Sequence, residues 1–166
     1  MDRTSEDIQF MRRTIELAQL AEQEGNLPIG AVITLDDEII AEGRNAIYVP
    51  SFDATRHAEM EALRAVPQEH WPSASNMTLY TSLEPCIMCF ASILLHRIGR
   101  VVYGALDSFG GSNAVLSRLP PYFRERFSET RWQGPLMPDE CDPFHARIMA
   151  LEAARARANN QENSRL

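Results

Sequence analysis

Residues 77–89 are MTLYTSLEPCIMC, a strand candidate that passes into a helix within one short segment. The strand candidate covers residues 77–81. Pro85 suits the first turn of a helix, where the N–H that proline lacks would have no partner anyway. We expect this helix to continue to about His96. A strand followed at once by a helix is the unit from which we infer the fold.

Helices and strands alternate on both sides of this segment. Apolar residues recur at helical spacing from Thr4 to Glu24 and predict a first helix there. The other predicted elements are a β-hairpin at 29–35 and 39–41, a helix over about 55–65, a loop at 67–75, a strand at 100–104 and a last helix over about 142–158. This alternation favours an α/β fold, with helices on a sheet, over a bundle or an all-β sandwich.

The length of the chain and its apolar pattern indicate one soluble domain. The 166 residues suit a single domain, which we place at residues 1–158, with a frayed tail at 159–166. No N-terminal apolar run resembles a signal peptide, and no apolar stretch reaches membrane-spanning length. We therefore expect a cytoplasmic protein that does not contact a membrane.

The charge of the chain is acidic and unevenly distributed. Its 23 acidic residues outnumber 16 basic residues, all of them arginine, and the formal net charge is −7. Such acidity disfavours a broad nucleic-acid surface, because phosphate binding usually needs basic residues. Residues 1–96 hold 6 arginines and 15 acidic residues, whereas residues 97–166 hold 10 arginines and 8 acidic residues. A polyanion can therefore still be a partner of the C-terminal half.

Two short clusters carry metal-binding side chains. His57 begins the triplet His-Ala-Glu, and Cys86 and Cys89 are three residues apart. Each cluster lies at the start of a predicted helix, with His57 in the first turn. Cysteines three apart share one face of a helix and can bind one ion. The exposed N–H groups of a helix N-terminus favour thiolates.

A set of one histidine and two cysteines suits tetrahedral zinc. Three protein ligands leave a fourth position for water, which is typical of a catalytic site, and zinc lowers the pKa of that water to about 7. Glu59 lies two residues from His57, close enough to the metal to take a proton from water and pass it to a substrate.

Two other interpretations of the cysteines remain open. A redox pair at a helix start would leave His57 and Glu59 without a role. A structural zinc site would need a fourth ligand, for which Cys141 or His96 is available. Otherwise Cys141 is expected to be a packed thiol, and the isolated histidines to be solvated or paired in the core.

The motif of His57 and Glu59 followed by Pro85, Cys86 and Cys89 resembles the signature of the zinc nucleobase deaminases. The resemblance to this cytidine deaminase-like superfamily extends from the first helix to at least Gly111. Within the superfamily the chain is similar to the tRNA adenosine deaminases, in segments LPIGAV (27–32), GRN (43–45), DATRHAEM (53–60), LEPCIMC (83–89) and RIGRVVYG (97–104). Guanine deaminases share Asn45 and the segment LYTS (79–82), and their C-terminal end resembles residues 142–144.

The resemblance implies a three-layer α/β/α sandwich with a central five-stranded sheet, a bound zinc ion and a homodimer. It also implies that Asn45 hydrogen-bonds the base or ribose and that the backbone N–H of Ala58 contacts a base edge. Asn45 can instead be a turn residue. Residues 112–138 match no group that we can identify.

The segment after Gly104 departs from the tRNA enzymes. Bacterial members usually carry basic residues there that meet the anticodon loop, whereas this chain has ALDSF at residues 105–109. We assign Asp107 and Phe109 to the substrate side, with Phe109 able to stack on a base or, alternatively, to pack in the core.

Three functions remain at this stage. The first is hydrolytic deamination of adenosine to inosine in tRNA. The second is deamination of a free base or nucleoside such as guanine, cytosine or adenine. The third is a non-catalytic zinc-binding module. In the two enzymatic functions Glu59 protonates the ring nitrogen next to the attacked carbon and then the departing amine.

Overall fold

The computed structural model describes the backbone of residues 3–163 and the side chains of residues 5–157. The α-helices are α1 (Arg3–Gln23), α2 (Ala58–Ala65), α3 (Ile87–Leu95), α4 (Pro121–Glu129) and α5 (Pro138–Asn163). The strands are β1 (Gly30–Leu35), β2 (Glu38–Arg44), β3 (Thr78–Leu83), β4 (Arg100–Ala105) and β5 (Arg131–Gln133). Two 3-10 helices cover Gln68–Asn76 and Ser112–Arg118.

The five strands form one mixed sheet in the order β2-β1-β3-β4-β5. β1 is antiparallel to both β2 and β3, whereas β4 is parallel to both β3 and β5. The carboxyl ends of β3 and β4 therefore lie side by side, where the two parallel strands end. The expected five-stranded α/β fold is confirmed.

Two glycines show how closely helices approach the sheet from opposite faces. A Cβ on Gly30 would collide with Thr14 and Leu17 of α1, and a Cβ on Gly43 would collide with backbone atoms of α2. Side chains of neighbouring strand residues alternate between faces, and Gly43 pairs with Ala31, so the two glycines face opposite ways. Helix α5 contacts α1, and α2 contacts α3, which completes the three layers.

A second, smaller apolar cluster lies outside α3. Phe90 and Leu94 of α3 are buried against Leu119, and further side chains pack on them: Val115, Leu116, Phe123, Phe127 and Trp132. The covering side chains come from residues 112–138, the stretch that resembled no known group. This stretch thus forms a helical cover over the outer face of α3.

Several predicted boundaries were wrong. Helix α2 begins at Ala58 rather than near residue 55, because the carboxylate of Asp53 accepts hydrogen bonds from the N–H and hydroxyl of Thr55 and holds a turn there. Helix α3 begins at Ile87, so Pro85 precedes the helix.

Other differences concern whole elements. The predicted loop at 67–75 is mostly a 3-10 helix, whose i to i+3 bonds tolerate the Pro72 within it. Helix α4 and strand β5 had no counterpart in the residue pattern. Helix α5 begins at Pro138 and continues to Asn163, which is further than the predicted end, and residues 164–166 lie outside the described residues. Among residues 3–163, no helix has both the length and the apolar composition needed to cross a membrane.

Candidate metal centre

His57 is the N-cap residue of α2. Its backbone is extended, with φ −71° and ψ 154°, and its carbonyl accepts the first helical hydrogen bond from Glu61 N–H at 2.9 Å. The prediction that His57 belongs to the first turn is therefore wrong by one residue. The His57 side chain makes no capping hydrogen bond to α2, and its ring contacts Cys86 instead.

Cys86 occupies the same position on α3. It is the N-cap, with φ −69° and ψ 172°, and its carbonyl accepts a hydrogen bond from Phe90 N–H at 2.8 Å. Cys89 is the third residue of α3 and is buried. Both thiols therefore lie at a helix N-terminus, where the N–H groups and the helix dipole favour negative charge.

The structure brings the three predicted ligands together. The ligand atoms of His57, Cys86 and Cys89 all lie within 4.8 Å of one another, and Cys86 Sγ is 3.6 Å from His57 Nδ1. Within the described side chains no other group of three or more histidine, cysteine or acidic residues meets this condition. An imidazole and two sulfurs at this spacing fit a zinc ion.

Neither candidate for a fourth ligand reaches this group. Cys141 is a buried residue of α5 whose sulfur lies against Gly104 of β4, so it is a packed thiol as expected. His96 is the C-cap of α3, at the other end of the helix from Cys86, roughly 15 Å away at 1.5 Å per residue. The arrangement therefore favours a three-ligand site over a structural four-ligand site.

Hydrogen bonding between the two cysteines gives one of them thiolate character. The hydrogen bond from Cys89 lowers the pKa of Cys86 to about 4, with a further contribution from His57. The same bond, together with burial, raises the pKa of Cys89. Cys86 is thus a thiolate at neutral pH, which is the form that binds metal.

Glu59 is buried in the first turn of α2 beside this cluster. Its side chain is 3 % exposed, and among the described residues its Oε2 has no hydrogen-bond partner. Burial raises the pKa of Glu59, although the positive charge of His57 opposes the rise. A buried carboxylate with a raised pKa and an unpartnered oxygen is suited to accept and return a proton.

Asn45 is fully buried directly after β2, in a segment that hydrogen-bonds the residue before His57. Its Oδ1 accepts hydrogen bonds from the N–H of Leu27 at 3.4 Å and of Ile47 at 3.3 Å, whereas its Nδ2 has no partner among the described residues. The N–H of Ala46 bonds the carbonyl of Arg56 at 2.9 Å, which places Asn45 across from His57. One side of the amide therefore holds the loop, as the turn interpretation required, and the other side is free to donate.

The backbone N–H of Ala58 is a second hydrogen-bond donor that has no acceptor within its own helix. Ala58 is the first residue of α2, and the first N–H groups of a helix have no intrahelical acceptor. Ala58 is fully buried, so its N–H lies inside the protein and not at the solvent-exposed surface.

Asp107 organises the loop that follows β4. Its Oδ1 accepts the N–H of Phe109 and of Gly110, both at 2.9 Å, and lies 3.2 Å from His145 Nε2 of α5. Phe109 is 83 % exposed, so the interpretation that it is a core aromatic is wrong. His145, which had no assigned role, contacts the same loop.

Glu84 is a buried residue of this region that the sequence did not single out. Its two carboxylate oxygens accept the backbone N–H groups of Asp107 and Asn113. Its position two residues before Cys86 was the available signal, but its partners are 23 and 29 residues away in the chain and were not visible in the pattern.

The chain matches known proteins over this region. Residues 4–105 match the family model of the cytidine and deoxycytidylate deaminase zinc-binding region. The chain is 35 % identical over 142 residues to a tRNA-specific adenosine deaminase of Bacillus subtilis, which covers 82 % of this chain and 84 % of that protein. It is 46 % identical over 108 residues to the tRNA-specific adenosine deaminase of Haemophilus influenzae, covering 63 % of this chain and 61 % of that protein.

Solved structures agree with these sequence matches. A structure from studies of A-to-I editing by tRNA:A34 deaminases superposes with a TM-score of 0.66 at 30 % identity, covering 82 % of this chain and 99 % of the other. The protein NE0047 in complex with 2,6-diaminopurine has a TM-score of 0.65 at 21 % identity, covering 85 % and 80 %, and shows a shared fold. The family model covers more than half of the chain and includes all three ligands, and we conclude that this protein belongs to the zinc-binding cytidine and deoxycytidylate deaminase family and is a zinc-dependent deaminase.

Proposed function

We propose that this protein hydrolyses the exocyclic amino group of adenosine in a tRNA, with inosine and ammonia as products. The observation that carries the proposal is the 35 % identity to the Bacillus subtilis tRNA-specific adenosine deaminase over 84 % of that protein's length. The complete set of His57, Glu59, Cys86 and Cys89 also disfavours a non-catalytic zinc-binding module.

The metal is held by His57, Cys86 and Cys89 in this proposal. When bound there, a zinc ion supplies Lewis acidity that makes water a nucleophile near neutral pH. The protein's part is to keep three ligands at one point, with both thiols at the N-terminus of α3, where negative charge is favoured. Among the described residues, no fourth histidine, cysteine or acidic side chain joins this group, which supports an open coordination position.

Glu59 moves the protons. Its unpartnered Oε2 takes a proton from the attacking water and delivers it to the ring nitrogen adjacent to the carbon that bears the amino group. It then takes the proton of the hydroxyl that has been added to the ring carbon and passes it to the amine. The carbon–nitrogen bond breaks, ammonia leaves and the carbonyl of inosine forms. The pKa that burial raises brings this carboxyl closer to neutral pH, where proton uptake and release are both efficient.

Three groups position the nucleotide. Asn45 Nδ2 donates a hydrogen bond to an acceptor of the base or ribose, because it is a buried donor without a partner among the described residues and its segment is bonded to Arg56, next to His57. The N–H of Ala58 donates to a base edge. Asp107 shapes the loop that presents Phe109, and the exposed ring stacks on an unpaired base.

A free purine base or nucleoside is a second candidate substrate. It is favoured by the net acidity of the chain and by the pairing of some arginines of the C-terminal half with carboxylates. Arg147 pairs with Glu22 at 2.6 Å and Arg100 pairs with Asp7 at 2.6 Å. These two arginines are therefore already neutralised by carboxylates, and the net charge of −7 disfavours a polyanion.

The experiment that separates the two substrates is ammonia release by the zinc-loaded protein. The panel contains a tRNA anticodon stem-loop with adenosine at the wobble position, the same loop with guanosine there, and free adenine, guanine, cytosine and their nucleosides. The proposal expects turnover of the adenosine stem-loop, with inosine found after nuclease digestion and with activity that falls steeply as salt is added. Turnover of a free base, insensitive to salt and without reaction of the stem-loop, would contradict it.

We also propose that the protein acts as a homodimer in the cytoplasm, as the family resemblance implies. Apolar surface supports the dimer: Ile87 is 56 % exposed beside Cys86, and an apolar cavity of about 270 Å³ adjoins it between α3 and α4. Light scattering coupled to size-exclusion chromatography tests this, and a monomer at micromolar concentration would contradict it.

A further inference from the structure

Glu84 is a buried carboxylate that takes no part in the proton transfers described above. It follows β3 and precedes Cys86 by two residues, and its side chain is 3 % exposed. Burying a carboxylate is costly unless hydrogen bonds replace the water that it loses. The hydrogen-bond partners of Glu84 therefore indicate the role of this buried carboxylate.

The two oxygens of Glu84 bind the two ends of one loop. Oε2 accepts the N–H of Asp107 at 3.1 Å, and Oε1 accepts the N–H of Asn113 at 2.6 Å. We call residues 107–113 the 107–113 loop. Hydrogen bonds to a charged acceptor are stronger than bonds between neutral groups. The Glu84 side chain therefore holds both ends of this loop in place.

The 107–113 loop is also internally ordered. The Asp107 carboxylate accepts the N–H groups of Phe109 and Gly110, and the Asp107 carbonyl accepts the N–H of Gly111 at 3.0 Å. These bonds make the loop a compact unit. Because Glu84 holds both ends of that unit, it also sets the position of the exposed Phe109 ring.

The same loop packs on the segment that carries the metal ligand. Gly111 forms an antiparallel bridge with Cys86, and the N–H of Ser112 bonds the Pro85 carbonyl at 3.0 Å. There is no space for a side chain at this contact, since a Cβ on Gly111 would lie 2.5 Å from both the Glu84 carboxylate and the Asp107 carbonyl oxygen. The position of the loop is thus tied to the position of Cys86.

We propose that Glu84 is a positioning residue for substrate binding, which holds the 107–113 loop beside the metal centre so that Phe109 meets the nucleotide. The proposal rests on the proposed function in so far as the nucleotide is part of an RNA. The hydrogen-bonding role of Glu84 itself does not depend on which substrate is used.

The first test is hydrogen–deuterium exchange of the zinc-loaded protein with Glu84→Gln. Glutamine has one acceptor oxygen, so one of the two N–H groups loses its partner and faces an amide NH₂ instead. We expect exchange in the peptide covering residues 107–113 to become about tenfold faster or more, while zinc content stays near one ion per chain. The matched control is Glu69→Gln, which removes the same charge from an exposed residue and should leave exchange unchanged.

The second test separates binding from chemistry by steady-state kinetics on the anticodon stem-loop. Removal of one negative charge would by itself favour RNA binding in both variants. A positioning role predicts the opposite for Glu84→Gln: KM rises about tenfold while kcat changes less than about threefold. Glu69→Gln should keep kcat and should not raise KM.

Two results would overturn the proposal. One is unchanged exchange in residues 107–113 of Glu84→Gln, which would disprove the positioning role whatever the substrate. The other is faster exchange with an unchanged KM for the substrate that the wild-type protein turns over, which would show that the loop does not bind it. If Glu84→Gln fails to fold, Gly111→Ala is the second variant, because its added Cβ displaces the 107–113 loop from Glu84. Exchange and KM equal to those of the wild-type protein in Gly111→Ala would also overturn the proposal. Absence of RNA turnover by the wild-type protein refutes the proposed function alone.

Discussion

His57 Nδ1 and Cys86 Sγ lie 3.6 Å apart although 29 residues separate them in the chain. The two residues are the N-caps of α2 and α3, so two helices begin at the same point. This relationship gives the cluster its chemistry, because helix N-termini provide unpaired N–H groups and a positive dipole end around the thiolate.

The first prediction concerns the metal ligands. Cys86→Ser replaces a thiolate by a hydroxyl, a much weaker zinc ligand, so zinc content should fall from about one ion per chain to near zero. Cys141→Ala is the matched control, since it removes a buried cysteine outside the cluster and should keep the zinc. Metal analysis after gel filtration measures both. Full zinc content in Cys86→Ser would show that Cys86 is not a ligand.

The second prediction concerns the proton carrier. Glu59→Gln keeps the shape of the side chain but removes the group that ionises, so kcat should fall by about 10²–10⁴-fold while zinc stays bound. Because the substitution also removes a buried carboxylate, the free energy of unfolding should not decrease. Ammonia release and metal analysis on the same sample provide the measurement. Residual activity within tenfold of wild type would refute the role of Glu59.

The third prediction distinguishes the two roles of Asn45. Asn45→Asp keeps the oxygen that holds the N–H groups of Leu27 and Ile47 but loses the amide donor. We expect KM to rise about tenfold or more, since one hydrogen bond to the substrate is lost, and the melting temperature to fall, since the new carboxylate is fully buried with one unpartnered oxygen. Kinetics at neutral pH together with thermal unfolding test this. A wild-type KM would assign Asn45 to the loop alone.

The fourth prediction concerns thiol reactivity. After removal of zinc by a chelator, Cys86 should react with iodoacetamide at neutral pH because its pKa of about 4 makes it a thiolate. Cys141 should not react, since burial raises its pKa to about 12 and keeps it a thiol. Added zinc should protect Cys86. Peptide mass spectrometry gives the extent of labelling, and equal labelling of Cys86 with and without zinc would contradict the site.

Much of the fold was predictable because it depends on local patterns. The helical repeat of α1 and the hairpin of β1 and β2 are long periodic segments, and the structure confirms both. Strand β5 has three residues, which is too short for a clear repeat, and α4 has no fully buried residue, so its apolar face is weak. Their positions are set by packing on α3, through contacts such as that of Trp132 with Phe90, and such contacts do not show in the sequence.

The candidate site was predictable to the same degree. The identities of His57, Glu59, Cys86 and Cys89 follow from residue type and spacing, because metal chemistry restricts which residues can serve. The exact N-cap positions could not be predicted, because a hydrogen bond to the Asp53 side chain holds a turn before α2 and shifts the first residue of the helix. The free Nδ2 of Asn45 and the two bonds of Glu84 depend on tertiary contacts and became visible only in the structure.

The central claim is that one imidazole and two sulfurs hold a zinc ion that keeps a position open for water. Zinc K-edge X-ray absorption on the purified protein tests it most directly. The account predicts two sulfur atoms at about 2.3 Å and two lighter atoms at about 2.0 Å, only one of which is an imidazole nitrogen. A third sulfur or a second imidazole in the coordination sphere would contradict it.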